Sequence, residues 1–211
     1  MVGKQTFSNR MKEEDRNILW MNFKNGENNS LSLLYKEYAN ELYSYGMKVS
    51  GDDDLVKDCI QEVFIQLIDK RKTILITPTI HTYLFKSLRN KLLEELRSTN
   101  RKQDIVTQLS AFETEYDKHA EQNIIEDEEN RSIRKSILTA IEKLSNRQKE
   151  IIYLKYTKDF SYDQIAEMLQ IDKASARTLL YRTLKNLKDQ WSNTTLLFMV
   201  LISSFKMHLK K

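Results

Sequence analysis

The chain has 211 residues with only four Gly and one Pro, and its net charge is +4. So few turn-formers, beside abundant Leu, Ile, Lys and Glu, exclude a β-rich fold built on tight hairpins and predict an all-helical chain of one or two domains. A single cysteine, Cys59, excludes an intramolecular disulfide and fits a reducing compartment.

The N-terminal stretch MVGKQTFSNRMKEEDRN has no apolar core segment and is not a secretory signal, so a cytoplasmic protein is expected. From about Asp15 to Ser98 the chain reads as helices. In DLVKDCIQEVFIQLIDK, apolar residues recur at Leu55, Val56, Cys59, Val63, Leu67 and Ile68, which predicts a helix with a wide buried face. Asp52 or Asp53 caps its start, and Asp58, Gln61, Glu62 and Asp69 are left on the outer side. The next helix is introduced by TPT, with Thr77 as N-cap and Pro78 at the first helical position, where its missing N–H costs nothing. In YLFKSLRNKLLEELRS, Leu84, Leu88, Leu92 and Leu96 line one side, and Tyr83, Lys86, Asn90 and Lys91 lie away from it.

Residues 99–130 are polar and weakly periodic, and between Phe112 and Glu129 the only Lys or Arg is Lys118. This is read as a solvated acidic linker. Residues 131–190 are helical again and rich in Lys and Arg, which suggests a basic module on an acidic connector. Two capping-box patterns stand there: Ser145 with Gln148, and Ser161 with Gln164. The tail, residues 191–211, carries the longest apolar run, LLFMVLISSF. It is about half the ~20 residues of a membrane span; packing against the protein is expected, with binding of a partner or contact with a membrane surface as the other readings.

SYDQIAEMLQIDKASARTLLYRTLKNL carries the most chemistry. Ile165, Leu169 and Ile171 can hold two crossing helices together, with Ala166 small at the point of approach and Asp172 capping the second helix. Ala176, Leu180, Leu184 and Leu187 form the buried stripe of that helix, and Lys173, Arg177, Tyr181 and Lys185 form a separate one. This is the pattern of a helix-turn-helix whose second helix presents its first turns to base edges in the major groove. Arg177 and Lys173 suit guanine acceptors, Ser175 and Thr178 shorter contacts, and Arg182 and Lys185 phosphates. Gln170 stands where such turns usually place Gly. If it is left-handed, it costs about 1 kcal/mol.

The segment LSNRQKEIIYLKYTKDFSYDQIAEMLQIDKASARTLLYRTLKNL resembles region 4 of extracytoplasmic-function (ECF) sigma factors, the module that reads the −35 promoter element. LWMNFKNGENNSLSLLYKEYANELYSYGMKV, DDLVKDCIQEVFIQLIDK and IHTYLFKSLRNKLLEELR resemble successive segments of region 2. The resemblance implies two small helical domains, residues 15–98 and 131–190, joined by the flexible linker. It further implies that Asp58, Gln61 and Glu62 dock on the β′ clamp helices of core RNA polymerase, with the β flap as a second contact. It places Arg89-Asn90-Lys91 beside a pocket for a flipped −10 base, with Lys86 and Arg89 on strand phosphates and Tyr83 where the family usually has Trp. Promoter DNA and an anti-sigma factor follow as partners. Leu179, where the family often has Arg, and Ala176, smaller than the usual Val, depart from the pattern.

No Gly-rich phosphate loop, Cys/His metal cluster or catalytic dyad among the three His is present in the sequence, so no enzymatic activity, cofactor or metal is expected. A stand-alone helix-turn-helix regulator and a helical adaptor that never touches DNA are the other two readings of the residues.

Overall fold

In a computed structural model, residues 13–27, 29–74, 79–100 and 139–190 are described. The linker beyond Asn100 and the apolar tail beyond Gln190 lie outside them. All regular structure among the described residues is helical.

Helix α1 (Glu13–Asn25) buries Leu19, Trp20 and Phe23 on one side. It is tied to α2 (Ser30–Ser50) by Arg16, whose Nε and Nη2 both donate to Glu37 Oε1, at 2.9 and 2.7 Å. Gly51 ends α2 in the left-handed region at φ 69°, where a residue without Cβ is strain-free, and its amide donates to the Met47 carbonyl. Gly46 sets the approach of α2 to α3 (Asp53–Asp69). A Cβ there would stand 2.7 Å from Val56 Cγ1, so any side chain would force the two helices apart.

Asp52 caps α3 by accepting from the Leu55 amide. Val56, Cys59, Val63 and Leu67 are buried as expected, and Ile60 and Phe64 join them. Ile68, expected on that face, is instead 45 % exposed: with the core centred on Val63 and Leu67, position 68 has rotated out of contact. Helix α4 (Ile80–Asn100) also starts later than expected. Thr79 accepts from the Thr82 amide at 3.2 Å and so takes the capping role given to Thr77, while Thr77 and Pro78 lie outside the described residues. The helix continues through Thr99 and Asn100, the first residues assigned to the linker.

After a helical turn at residues 139–142, Ser145 and Gln148 close the expected capping box and open α5 (Asn146–Ile152). This helix runs on into a π-helical turn, Tyr153–Thr157. The second capping box, Ser161 with Gln164, opens α6 (Tyr162–Leu169), and α7 (Lys173–Gln190) follows.

The two halves share one apolar core. Helix α4 packs against α6, and the seam is aromatic. Tyr45 and Phe85 of the first half lie 5.2 Å apart, Phe85 lies 5.5 Å from Phe160 of the second half, and His81 meets Phe160 edge-on at 4.7 Å. Such tilted and edge-to-face pairs add about 0.5–1.5 kcal/mol each beyond their buried area. The seam therefore selects one docking geometry as well as burying surface.

Candidate nucleic-acid and polymerase interfaces

The helix-turn-helix is built as its sequence requires. Ile165, Ala166 and Leu169 of α6 are buried against Ala176 and Leu180 of α7, with Ile171 and Leu184 half-buried beside them. Between the helices Gln170 adopts φ 54° and ψ 49°, the left-handed conformation, and the Ile171 amide reaches back to the Ala166 carbonyl at 3.0 Å. Asp172 then caps α7. It accepts from the Ser175 amide at 2.8 Å and from the Ser175 hydroxyl at 2.6 Å, and these bonds hold its carboxyl below the ordinary value. Leu179 is half-buried and packs on the core, so it widens the apolar stripe.

Of the residues expected at the −35 element, Lys173, Ser175, Arg177, Thr178, Tyr181, Arg182 and Lys185 are all exposed on α7. Tyr181 is 67 % exposed. Helix α6 pre-positions two of them. Lys173 Nζ lies 2.7 Å from Asp163, and the Arg177 guanidinium sits over the Tyr162 ring at 5.4 Å. Ser175 commits its hydroxyl to the cap, which makes it first a helix-starting residue.

The residues expected at the −10 element are brought together on α4, but each polar one is engaged. Lys86 Nζ meets Glu167 of α6 at 3.2 Å. Asn90 Oδ1 accepts from Gln170 Nε2 at 3.0 Å. Arg89 makes a forked pair with Glu150 of α5, Nε to Oε1 at 2.8 Å and Nη2 to Oε2 at 3.2 Å. Tyr45 completes that cluster by donating its hydroxyl to Glu150 Oε1 at 2.7 Å. Burial works against the Arg89 charge, but the Glu150 bonds more than offset it and hold the guanidinium above its usual value. Burial first, and then the Glu150 charge, push the Tyr45 phenol well up. Tyr83 is half-buried against the core and its ring is only partly presented.

Lys91 points to the other side, bridging Glu62 Oε2 at 2.7 Å and Glu95 Oε1 at 3.2 Å. The two carboxylates hold its ammonium well above the usual value. This joins the face expected at polymerase to the edge of the −10 face. Asp58, Gln61 and Glu62 are exposed on α3, with Ile65 (56 % exposed) and Ile68 as apolar neighbours that periodicity had not placed outside. Among the described residues no His, Cys, Asp and Glu cluster could hold a metal ion. Cys59 is buried, and burial raises its thiol to about 11, so it is a packing residue rather than a nucleophile.

Glu150, Glu167 and the Gln170 side chain were not singled out from sequence. Glu150 had left a signal: it lies three and four residues before the inward-facing Tyr153 and Leu154, and an acid on a buried stripe demands a partner. The partner was Arg89, far away in sequence.

Comparison with known proteins supplies the family. Residues 34–102 match sigma-70 region 2 and residues 134–187 match sigma-70 region 4, between them more than half of the chain. The ECF RNA polymerase sigma factor SigX of Bacillus subtilis is 24 % identical over 164 residues, covering 75 % of this chain and 82 % of its own. SigM of the same organism is 25 % identical over 164 residues, covering 74 % and 91 %. Among solved structures, the sigma factor RpoE in complex with the anti-sigma factor NepR, from Bartonella quintana, superposes with a TM-score of 0.56. It is 19 % identical and covers 77 % of this chain and 96 % of its own. CnrH in complex with the cytosolic domain of CnrY gives 0.54 at 14 % identity, covering 82 % and 95 %. Those two structures share the fold. With regions 2 and 4 both present and in order, neither a stand-alone regulator nor a DNA-free adaptor accounts for the chain, which belongs to the ECF sigma factors, the alternative sigma subunits of RNA polymerase.

Proposed function

We propose that residues 15–98 and 131–190 act as the two promoter-reading domains of this sigma factor, and that α7 reads the −35 element. Lys173 and Arg177 contact base edges, Thr178 makes shorter contacts, and Arg182 and Lys185 hold phosphates, with Tyr181 lying along the groove wall. Ser175 serves the cap and reaches DNA only through its backbone neighbourhood. The observation that carries this reading is the exposed cationic edge of α7, aimed by Asp163 and Tyr162 from the helix beside it.

On α4, Lys86 and Arg89 hold phosphates of the −10 strand, and Asn90 stands at the flipped base with Tyr83 at its rim, while Lys91, expected there too, is turned to Glu62 and Glu95 at the edge of that face. Asn is suited to that place because it both donates to and accepts from a base edge. Asp58, Gln61 and Glu62 on α3 form the acidic docking face for the β′ clamp helices, and the exposed Ile65 and Ile68 give that face an apolar centre. The β flap contacts the second domain. The protein works in the cytoplasm as an initiation factor without catalysis of its own, since bond formation belongs to the polymerase. An anti-sigma factor is a further partner, by analogy with the solved neighbours that carry one.

Co-elution with sigma-free core polymerase tests the docking face. Asp58→Arg is the informative variant, because Glu62 also holds Lys91 and its replacement would disturb two faces at once. Loss of co-elution in Asp58→Arg with unchanged folding is the expected result. Undiminished co-elution would remove α3 from the interface.

A further inference from the structure

One aromatic ring at the edge of the recognition helix carries two cations. The Arg177 guanidinium carbon lies 5.4 Å from the centroid of the Tyr162 ring, and Lys155 Nζ lies 5.0 Å from the same centroid. Lys155 comes from the π-helical turn and also donates to the Phe160 carbonyl at 3.1 Å, two residues before the ring it serves. Tyr162 opens α6 directly behind the Ser161–Gln164 capping box and is half-buried against the core. Lys155 is half-buried too, whereas Arg177 is exposed. The ring is therefore held by backbone, core and ammonium, and it offers its contact to a side chain that faces solvent.

The other tether on α7 is of a different kind. Lys173 and Asp163 lie 2.7 Å apart, but their side chains are 46 % and 62 % exposed. An ion pair that wet contributes little, and it is given up when Lys173 turns to DNA. Arg177 has no such conflict. A guanidinium is flat, so it can lie with its face on a ring and keep the donors along its edge for the N7 and O6 acceptors of a guanine. We propose that Lys155 and Tyr162 are positioning residues for base reading by Arg177. The ammonium steadies the ring, the ring orients the guanidinium, and −35 selectivity is set in part from a turn outside the recognition helix. The inference rests on the reading of α7 given above.

The experiment uses the holoenzyme, full chain with core polymerase, selected on a duplex pool randomised through the promoter region. The base pair whose preference disappears in Arg177→Ala is the one that Arg177 reads. Competition binding then compares the best duplex with the same duplex changed at that pair, and the ratio of the two affinities cancels any difference in folded fraction between variants. A forked contact corresponds to a ratio of about 5- to 150-fold in the parent. Tyr162→Leu removes the ring and keeps the apolar packing. It should lower the ratio by about 2- to 5-fold, the worth of one cation–ring contact at an exposed site. Tyr162→Phe keeps the ring and should hold the parent ratio within about twofold. Lys155→Met should lower the ratio at the same pair, and added to Tyr162→Leu it should lower it no further, because the two act through one contact.

A parent ratio in Tyr162→Leu, with the preference lost in Arg177→Ala, would overturn the positioning and leave the reading of α7 intact. An Arg177→Ala holoenzyme that keeps every preference would strike at that reading itself, and the positioning would fall with it. A ratio lost equally in Tyr162→Phe and Tyr162→Leu would assign the effect to the phenol hydroxyl and overturn the ring contact. Equal weakening of both duplexes by Lys155→Met would make Lys155 a phosphate contact and end its part in positioning.

Discussion

Gln170 offers a quantitative check on the turn of the helix-turn-helix, because two replacements there separate backbone strain from side-chain contact. In the left-handed region a residue with Cβ carries a penalty of about 1–2 kcal/mol. Glycine escapes it but brings about 0.4–1 kcal/mol of extra unfolded-state entropy. Gln170→Gly should therefore be more stable than Gln170→Ala by about 0.5–1 kcal/mol. Both variants lose the bond from Gln170 Nε2 to Asn90, an exposed contact at 3.0 Å worth about 0.5 kcal/mol, so this loss cancels between them. Against the parent, Gln170→Gly comes out close to neutral and Gln170→Ala falls below it. In a chain of this length, 1 kcal/mol moves Tm by about 2–4 °C, so the pair should differ by about 1–4 °C in a thermal melt followed by circular dichroism, with urea midpoints in the same order. Equal stability of the Gly and Ala variants would refute the left-handed turn, and with it the crossing geometry that aims α7.

Other outcomes follow from the same geometry. Arg177→Ala should weaken a matched −35 site by about 1–3 kcal/mol and a scrambled one far less, whereas Lys185→Ala should weaken both alike and flatten the salt dependence, as read by competition binding of the polymerase holoenzyme. Equal effects of the two variants on both sites would take recognition away from α7. His81 is half-buried beside Glu41, with the rings of Tyr38, Phe85 and Phe160 around it. Desolvation, opposed by Glu41, holds its pKa below the ordinary 6.5. The unfolded chain then binds a proton that the folded one refuses, so the His81 contribution is complete above about 6.5 and is lost as pH falls through the lowered value. Urea midpoints of the parent should drop between about pH 7.5 and pH 5.5 more than those of His81→Gln, and parallel drops would assign the proton uptake elsewhere.

Local elements were largely legible from local residues. The capping boxes at Ser145 and Ser161, the Asp52 and Asp172 caps and the apolar stripe of α7 each depend on spacings of three or four residues, and all stand where those spacings put them. Helix α4 shows the limit of such signals. Thr77-Pro78 carried a strong start pattern, yet Thr79 fits the same role and is the residue that accepts the capping bond. Periodicity also overreached at Ile68, because it marks which residues are apolar and leaves open which neighbour is near enough to cover them.

The site was legible in its residue types and hidden in its pairings. Nothing near Arg89 announces that Glu150, sixty-one positions away, will hold it, and nothing near Lys91 distinguishes a strand contact from a bridge to Glu62. Long-range ion pairs follow from how two amphipathic surfaces dock, and that docking was settled here by aromatic residues whose individual stripes gave no relative orientation.

The π-helical turn at Tyr153–Thr157 has a consequence for how changes in length propagate. A residue added to or taken from a helix rotates everything beyond it by about 100°. The wider turn absorbs one such residue, so Tyr153 and Leu154 within it face the core and Phe160 returns to the core beyond it. Deleting a single residue there, Tyr156 for instance, would leave an unbroken α-helix that is locally more regular. The connection that follows would start from a rotated end, and Phe160 would swing off the seam. An alignment that closes this stretch by one position improves the helix and misplaces the residues that lead from it to the seam, Phe160 first among them.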